Sequence, residues 1–343
     1  NEFPLLSIRQ LESLFFIFLL AGIMQRIVEL YANWILLPFG EILQMLEFTQ
    51  VLTVSVGMLY WLRGGRSIII QFLTVSFFTL DLLFRISDTL YSKVLYMIVS
   101  VLFVYIINEK KIPWKSTMLV FLLIFPPFVL RKESRAEVLE RWYFGGEKLS
   151  ISERISDGSR YLWDSYKIWE WDEFSSELGN QGITRFENLS YLGQCVYMVK
   201  VQEKELKYGE TFWWLPFTVI PRKIIPWKPI NYHPTLLAEE YGTKGLAKGA
   251  MNFPILVEMF INFGFYGMVI LSFFQGFFTN WILSRVNYGI GDLNLLIFIN
   301  LLWHLVKVES NITMILGGML QVLVSWTILF LILGVKRNQI RLK

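Results

Sequence analysis

About eight long apolar runs, separated by polar connections, constrain this chain more than any other feature. A helix needs roughly 20 apolar residues to cross a hydrocarbon core of about 30 Å, and shorter runs suffice where the helix is buried or the bilayer thins. The apolar fraction of 54% and the mean hydropathy of +0.47 are too high for an ordinary soluble domain of 343 residues. The sequence therefore predicts an all-α, polytopic transmembrane helix bundle. The predicted helices cover residues 14–37, 42–62, 68–84, 90–107, 118–130, 254–283, 293–308 and 312–333.

Basic residues in the short connections predict the orientation, because Lys and Arg accumulate on the cytoplasmic side of a membrane. If all eight helices cross, the basic connections at residues 63–66, 110–115, 285 and 336–343 share one face. The long polar region then lies on the opposite, extracytoplasmic face. We therefore expect about five transmembrane helices in residues 1–130, an extracytoplasmic loop in residues 131–250, and about three transmembrane helices in residues 251–343. The loop is partly helical, with predicted helices at residues 134–142, 152–171 and 183–201.

Charge and cysteine content exclude several classes of function. The net charge is only +4, and the basic residues form short clusters between apolar runs, so no nucleic acid partner is expected. The single cysteine, Cys195, excludes an intrachain disulfide. The sequence has no Cys/His spacing typical of zinc or haem, so we expect no metal and no cofactor. It also has no phosphate-binding loop, hydrolase elbow or dinucleotide fingerprint, which argues against chemistry on a cytosolic nucleotide.

The segment at residues 209–229 combines aromatic residues, closely spaced cations and prolines. Trp214 and Trp227 lie near Arg222, Lys223 and Lys228 in the sequence. Trp favours the headgroup level of a membrane, and Arg donates two parallel hydrogen bonds to one phosphate. The four prolines argue against one long helix. Two interpretations remain open: a clamp for a phosphate or diphosphate, and an interfacial anchor whose cations reach to lipid headgroups.

Ionisable residues near a membrane are costly, which makes each one a candidate for function. Glu258 lies near the start of the sixth apolar run, and Asn262 follows one turn later on the same face. The Glu258 carboxylate is a candidate general base, a group that orients a substrate hydroxyl, or an ion-pair partner of Arg222 or Arg185. His233, just beyond the aromatic and basic segment, is either a base near neutral pH or an incidental histidine.

A second set of charged residues lies toward the ends of the first and third predicted helices. These residues either line an outward-facing cavity or pair with one another. They are Arg26, Glu29, Asp81, Arg85 and Asp88.

Four motifs follow one another between residues 184 and 267. They are Arg185-Phe186, Gly209-Glu210-Thr211-Phe212, the block Ile220-Pro221-Arg222-Lys223-Ile224-Ile225-Pro226-Trp227-Lys228-Pro229, and Glu258 ahead of Asn262-Phe263-Gly264-Phe265-Tyr266-Gly267. In order and spacing they resemble the Wzy-type oligosaccharide repeat-unit polymerases, which make O-antigen and related bacterial surface polysaccharides. The third block departs from the usual pattern, because Ile225-Pro226-Trp227 stands where Trp-Pro-polar is usual. This departure affects the role of Trp227 and leaves Arg222 and Lys228 in place.

The resemblance implies a metal-independent, inverting, GT-C-like glycosyltransferase in the bacterial cytoplasmic membrane, with its large loop on the outer face. The implied donor and acceptor are polyprenyl-diphosphate-linked oligosaccharides, and the implied partners are membrane lipid and a chain-length regulator protein. The resemblance also implies roles for individual residues. Arg222, Lys228, Arg185 and Lys223 bind the diphosphate, Glu258 or His233 serves as base or orienting group, and Trp227, Asn262 and Trp214 line the substrate cavity.

Two other classes of function remain open. A related ligase moves the same kind of glycan to a lipid or protein acceptor, and only the acceptor distinguishes it from a polymerase. A transporter or flippase of lipid-linked saccharide, or a noncatalytic membrane subunit, carries out no chemistry. Transporters often contain internal repeats, and none is visible in this sequence.

Overall fold

The computed structural model describes residues 5–31, 48–87, 91–115, 117–119, 122, 152–153, 156–157, 159–160, 163, 187–213, 215–220, 224–225, 237, 239–242, 253–286, 291–306 and 310–332. Within these ranges the regular structure is entirely helical, and no strand occurs. The prediction of an all-α chain is therefore confirmed for the described residues. Their helices belong to two compact units.

The α1–α4 unit is packed around its second helix. Its helices are α1 (Ile8–Tyr31), α2 (Thr49–Leu62), α3 (Ile68–Ser87) and α4 (Tyr91–Glu109). α2 contacts each of the other three, and all its residues from 49 to 57 are buried. α2 also contains no charged residue. A helix without a polar face is stable in a bundle when it is enclosed, so the short α2 forms the core of this unit.

The described part of the α5–α8 unit contains four α-helices and one short 3-10 helix. Its elements are α5 (Glu187–Lys200), the 3-10 helix (Leu215–Val219), α6 (Ile255–Val286), α7 (Asp292–Val306) and α8 (Ile312–Ile332). α6 packs on α5 and α7, and α8 packs on α7 and the 3-10 helix. The contact between α5 and the start of α6 is an apolar core. This core consists of Tyr191, Cys195, Leu237, Tyr241, Phe253, Val257, Phe260 and Ile261.

Four of the described helices are long and apolar enough to cross a membrane. The candidate spans are Ile8–Ile27, Ile68–Arg85, Ile255–Ser284 and Met314–Leu331. Large apolar side chains cover much of their surface, such as Phe72 on α3 and Phe273 and Phe277 on α6. Exposed apolar surface of this extent is unfavourable in water and typical of contact with lipid. The chain is therefore a helical membrane protein.

Most helix boundaries lie close to those predicted from hydropathy. α3 begins at Ile68 and α8 at Ile312, as predicted, and the last predicted loop helix appears as α5. α1 begins at Ile8 rather than Leu14. The predicted helices at residues 118–130, 134–142 and 152–171 lie largely outside the described residues.

Candidate functional site

A break in α6 creates the polar centre of the α5–α8 unit. Gly264 has φ 67° and ψ −168°, a conformation that glycine alone adopts without strain. The carbonyls of Ile261 and Asn262 lie just before this break, where regular helical donors no longer follow. Two backbone N–H groups serve them instead: Lys207 N donates to Ile261 O at 2.9 Å, and Tyr208 N donates to Asn262 O at 3.0 Å. The loop that precedes the 3-10 helix is therefore docked on α6 through its backbone.

The side chain of Asn262 extends this docking. It is fully buried, and its Oδ1 accepts a hydrogen bond from Gly209 N at 2.9 Å. Its Nδ2 donates to Thr211 Oγ1 and to the carbonyl of Glu258, both at 2.8 Å. An amide side chain has two donors and one acceptor group, and all of them are used here. Asn262 thus ties two positions of the loop to α6.

Glu258 connects the same loop to the start of α8. Its side chain is buried, and Oε2 accepts a hydrogen bond from Ile312 N at 2.7 Å. The Thr211 hydroxyl lies within hydrogen-bonding reach of the carboxylate. The first N–H groups of a helix lack intrahelical partners, and the helix dipole favours negative charge at that end. Gly209, Thr211, Glu258, Asn262 and Ile312 together form the Glu258 cluster.

A second cap completes the N-terminus of α8. Asn311 is the residue before the helix, and its Oδ1 accepts a hydrogen bond from Met314 N at 2.9 Å. Asn is among the residues preferred at this position, because its side chain satisfies an N–H of the first turn. The Glu258 carboxylate therefore serves an N–H that the Asn311 side chain does not.

After the Glu258 cluster, the 3-10 helix packs against α8. Gln321 Nε2 donates to the carbonyl of Thr218 at 3.0 Å. Gly317 faces Thr218, and a Cβ at Gly317 would lie only 2.8 Å from Thr218 Cγ2. A glycine is required at this close approach because any side chain would displace the 3-10 helix. The segment from Gly209 to Ile220 is thus held to α6 at its start and to α8 near its end.

Charged side chains lie beside this segment on the side of α5. Lys207 Nζ lies 2.9 Å from Glu240 Oε1 and 3.4 Å from Glu210 Oε2. Lys204 Nζ donates to the carbonyl of Glu240 and lies 4.5 Å from the centroid of the Tyr241 ring. These residues are partly exposed, so the docked loop borders a polar environment.

The two titratable groups beneath these charges stay protonated near neutral pH. Burial raises the pKa of the Cys195 thiol to about 12, despite the opposing effect of Lys204. Burial, with a smaller contribution from Glu240, raises the pKa of Tyr241 to about 12. The thiolate is the reactive form of cysteine. Cys195 is therefore an unreactive core residue.

The α1–α4 unit contains a separate buried polar cluster, the Asp81 cluster. Asp81 pairs with Arg26 through one carboxylate oxygen and with Arg85 Nε through the other. Both guanidinium groups also donate to Gln50 Oε1, Arg85 at 2.6 Å and Arg26 at 3.3 Å. Of the two interpretations offered by the sequence, pairing is thus the one observed for Arg26, Asp81 and Arg85.

Two of the predicted site residues, Glu258 and Asn262, lie within the described part of the chain. The structure joins them, as their spacing predicted, in one polar network. The hypothesis that Glu258 pairs with Arg222 or Arg185 stays a prediction, because both arginines are outside the described residues. The same holds for the other predicted site residues. These are Trp214, Lys223, Trp227, Lys228 and His233.

Sequence reasoning missed the role of Thr211 and of the α8 N-terminus. Thr211 belongs to the Gly209-Glu210-Thr211-Phe212 motif, and it is almost completely buried. A buried hydroxyl requires a hydrogen-bond partner, so a threonine directly before the aromatic run Phe212-Trp213-Trp214 was a usable signal. Ile312 N–H carries no such signal, since every helix begins with unpaired N–H groups.

Comparison with protein-family models, curated proteins and solved structures finds no match to this chain.

Proposed function

We propose that this protein is a metal-independent glycosyltransferase of the Wzy type, which polymerises oligosaccharide repeat units carried on polyprenyl diphosphate. One observation carries the proposal. The buried Glu258 cluster fixes the start of the segment from Gly209 to Ile220, and this segment continues in the sequence directly into the block that contains Arg222 and Lys228. A group that binds a charged leaving group acts best when it is held in place before the reaction.

The proposed reaction is a single displacement. A sugar hydroxyl of the acceptor forms a bond to the anomeric carbon of the donor, while the bond from that carbon to the diphosphate oxygen breaks. The proton of the hydroxyl passes to a base, and polyprenyl diphosphate leaves with inversion at the anomeric carbon. Arg222, Lys228, Arg185 and Lys223 stabilise the charge that develops on the leaving diphosphate.

Other parts of the site have supporting roles in this proposal. Trp214 and Trp227 provide apolar and aromatic surface for the sugar and lipid portions of the substrate. Of the two residues that the sequence offers as base, we propose His233 as the group that accepts the proton or orients the hydroxyl, and Glu258 as a residue that holds the site in place. A protein nucleophile is unnecessary, because inversion requires only one displacement.

The proposed location is the outer face of a bacterial cytoplasmic membrane. We propose about eight crossing helices, with residues 131–250 as the extracytoplasmic loop, because this arrangement puts all basic connections on the cytoplasmic side. The loop docked on α6 supports a position at the membrane surface. It contains the exposed aromatic residues Tyr208 and Trp213 close to the charged Lys207 and Glu210, and this combination is typical of the headgroup level.

A transporter or flippase of lipid-linked saccharide is the second candidate, and the break in α6 favours it. Broken helices inside the membrane often form the substrate sites of transporters. The same diphosphate-binding residues would also serve a ligase, which differs from a polymerase only in its acceptor. The experiment must therefore detect chemistry and identify the acceptor.

The test incubates the purified protein in lipid vesicles with polyprenyl-diphosphate-linked repeat units and EDTA, and separates the glycans by size. We expect a ladder of polymers from the wild type. Arg222→Ala should lower the rate of ladder formation at least about 100-fold, since it removes a preorganised charge from the leaving group. The matched control is Arg66→Ala, an exposed arginine in the connection after α2, which should leave the rate unchanged.

Each outcome separates the candidates. A normal ladder from Arg222→Ala would remove the proposed diphosphate site. No ladder from the wild type would contradict the polymerase; transfer after addition of a lipid or protein acceptor would then identify a ligase, and movement of the intact substrate across the vesicle membrane would identify a transporter.

A further inference from the structure

Glu258 has contacts that differ from those of a group that exchanges protons with a substrate. Its side chain is 1% exposed, and Oε2 accepts a hydrogen bond from a backbone N–H at 2.7 Å. A general base must reach the proton that it removes, directly or through one water. The observed contacts of the carboxylate are with Ile312 N and Thr211, both of which belong to the protein itself.

We propose that Glu258 is a positioning residue and not the base: its carboxylate joins the start of α8 to the loop that carries Gly209 and Thr211, and thereby holds the segment leading to Arg222. This inference rests on the proposed function, because it assigns a role within that site. It also makes a statement about the resting protein that can be tested without any substrate.

The contacts around Glu258, here called the joint, connect three separate parts of the chain. α6 contributes Glu258 and Asn262, the loop contributes Gly209 N and Thr211 Oγ1, and α8 contributes Ile312 N. The loop and α8 are far apart in sequence. They meet here because both present polar groups to one buried turn of α6. An unpaired N–H or hydroxyl in a buried site is costly, so loss of the carboxylate favours separation of the three parts.

The identity of the residue matters less than its ability to accept hydrogen bonds. Glutamine at position 258 keeps one oxygen of nearly the same position, which can still accept from Ile312 N. Alanine keeps none. A positioning role therefore predicts that Glu258→Gln retains function and Glu258→Ala loses it, whereas a base fails with either variant because neither carries a carboxylate.

The first measurement uses the ladder assay with these two variants. We expect Glu258→Gln to polymerise within about threefold of the wild-type rate, and Glu258→Ala to be slower by about tenfold or more. The control is Glu205→Gln, an exposed carboxylate ahead of the docked loop, which should have the wild-type rate. A loss of activity in Glu258→Gln equal to that in Glu258→Ala would overturn the proposal and assign a chemical role to the carboxylate.

The second measurement needs no activity and follows the loop directly. The chain has one natural cysteine, Cys195, which is completely buried, so a nitroxide spin label will attach to an introduced cysteine. The labelled positions are Trp213→Cys, exposed in the docked loop, and Lys200→Cys, exposed at the end of α5. We expect the label at position 213 to move faster in Glu258→Ala and unchanged in Glu258→Gln. The label at position 200 should be unaffected by either substitution.

A further variant covers the case in which Glu258→Ala does not fold. Thr211→Val removes the hydroxyl that accepts a hydrogen bond from Asn262 Nδ2 and lies within reach of the Glu258 carboxylate, but it leaves the carboxylate on Ile312 N. It should also speed the motion of the label at position 213. Unchanged motion in Thr211→Val, or in a folded Glu258→Ala, would overturn the proposal. If the wild type makes no ladder but these variants still speed the motion of the label at position 213, the structural role of Glu258 would be supported and the polymerase proposal contradicted.

Discussion

The Asp81 cluster and the Glu258 cluster differ in the kind of group that they bind. In the Asp81 cluster, a carboxylate and an amide oxygen bind two guanidinium groups, and all four are side chains on regular helices. In the Glu258 cluster, a carboxylate and an amide hold backbone N–H groups of α8 and of a loop. The first cluster joins helices whose backbone hydrogen bonds are already formed within each helix. The second cluster binds backbone N–H groups that have no partner within a helix.

This difference shows which interactions determine the structure of each unit. The helices of the Asp81 cluster also pack around α2 through apolar contacts, and the Asp81 carboxylate offsets part of the positive charge of the two guanidinium groups. The α5–α8 unit depends on its polar cluster for its shape, because the break at Gly264 leaves backbone groups that must be paired inside the protein. We therefore expect charge to matter most in the first cluster and hydrogen-bond geometry to matter most in the second.

Asp81→Asn is expected to have the largest effect on the free energy of unfolding. The substitution leaves two guanidinium groups, which are 13% and 4% exposed, without a shared negative charge. Breaking a buried ion pair from one side costs about 3–5 kcal/mol of the free energy of unfolding. The measurement is denaturant-induced unfolding in detergent, with the exposed Glu203→Gln as control. A loss below about 1 kcal/mol would mean that charge is unimportant in this cluster as well.

An intermediate effect is expected from Gly264→Ala. A residue with a Cβ is strained by about 1–3 kcal/mol in this conformation, so the substitution should destabilise the break and release the docked loop. Gly276→Ala is a matched control on the same helix, because a Cβ there would meet nothing within 4 Å. In a regular helix alanine is favoured over glycine by about 1 kcal/mol. Equal stability of the two variants would show that the break is not a required feature.

The smallest effect on stability is expected from Glu258→Gln, the counterpart of Asp81→Asn. Because glutamine still accepts a hydrogen bond from Ile312 N, we expect a loss of about 1 kcal/mol, the difference between a charged and a neutral acceptor. Unfolding under the same conditions measures it. If Glu258→Gln destabilised the protein as much as Asp81→Asn, the distinction between a charge cluster and a hydrogen-bond cluster would be wrong.

Much of the fold was predictable because helix formation in a membrane is a local property. The apolar runs predicted α3, α7 and α8 to within a few residues of their ends, since each run must satisfy its own backbone. For the charged residues of α1 and α3, the sequence left a cavity lining and a pairing open, and the structure contains the pairing of Arg26, Asp81 and Arg85. The break in α6 was not predicted, although Gly264 lies in a glycine-containing motif. A glycine within an apolar run is also compatible with a regular helix.

The sequence predicted residues that belong to the candidate site, but it did not predict which groups they contact. Glu258 and Asn262 were identified by their residue type and by their spacing of one helical turn. Their partners include Gly209 N and Ile312 N, the latter 54 residues from Glu258. The sequence by itself determined which segments are helical and apolar, and which polar residues are out of place within them. Only the tertiary structure decided that Glu258 binds the start of α8. A backbone N–H is the same in every residue except proline, and it becomes a specific partner only through its position in space.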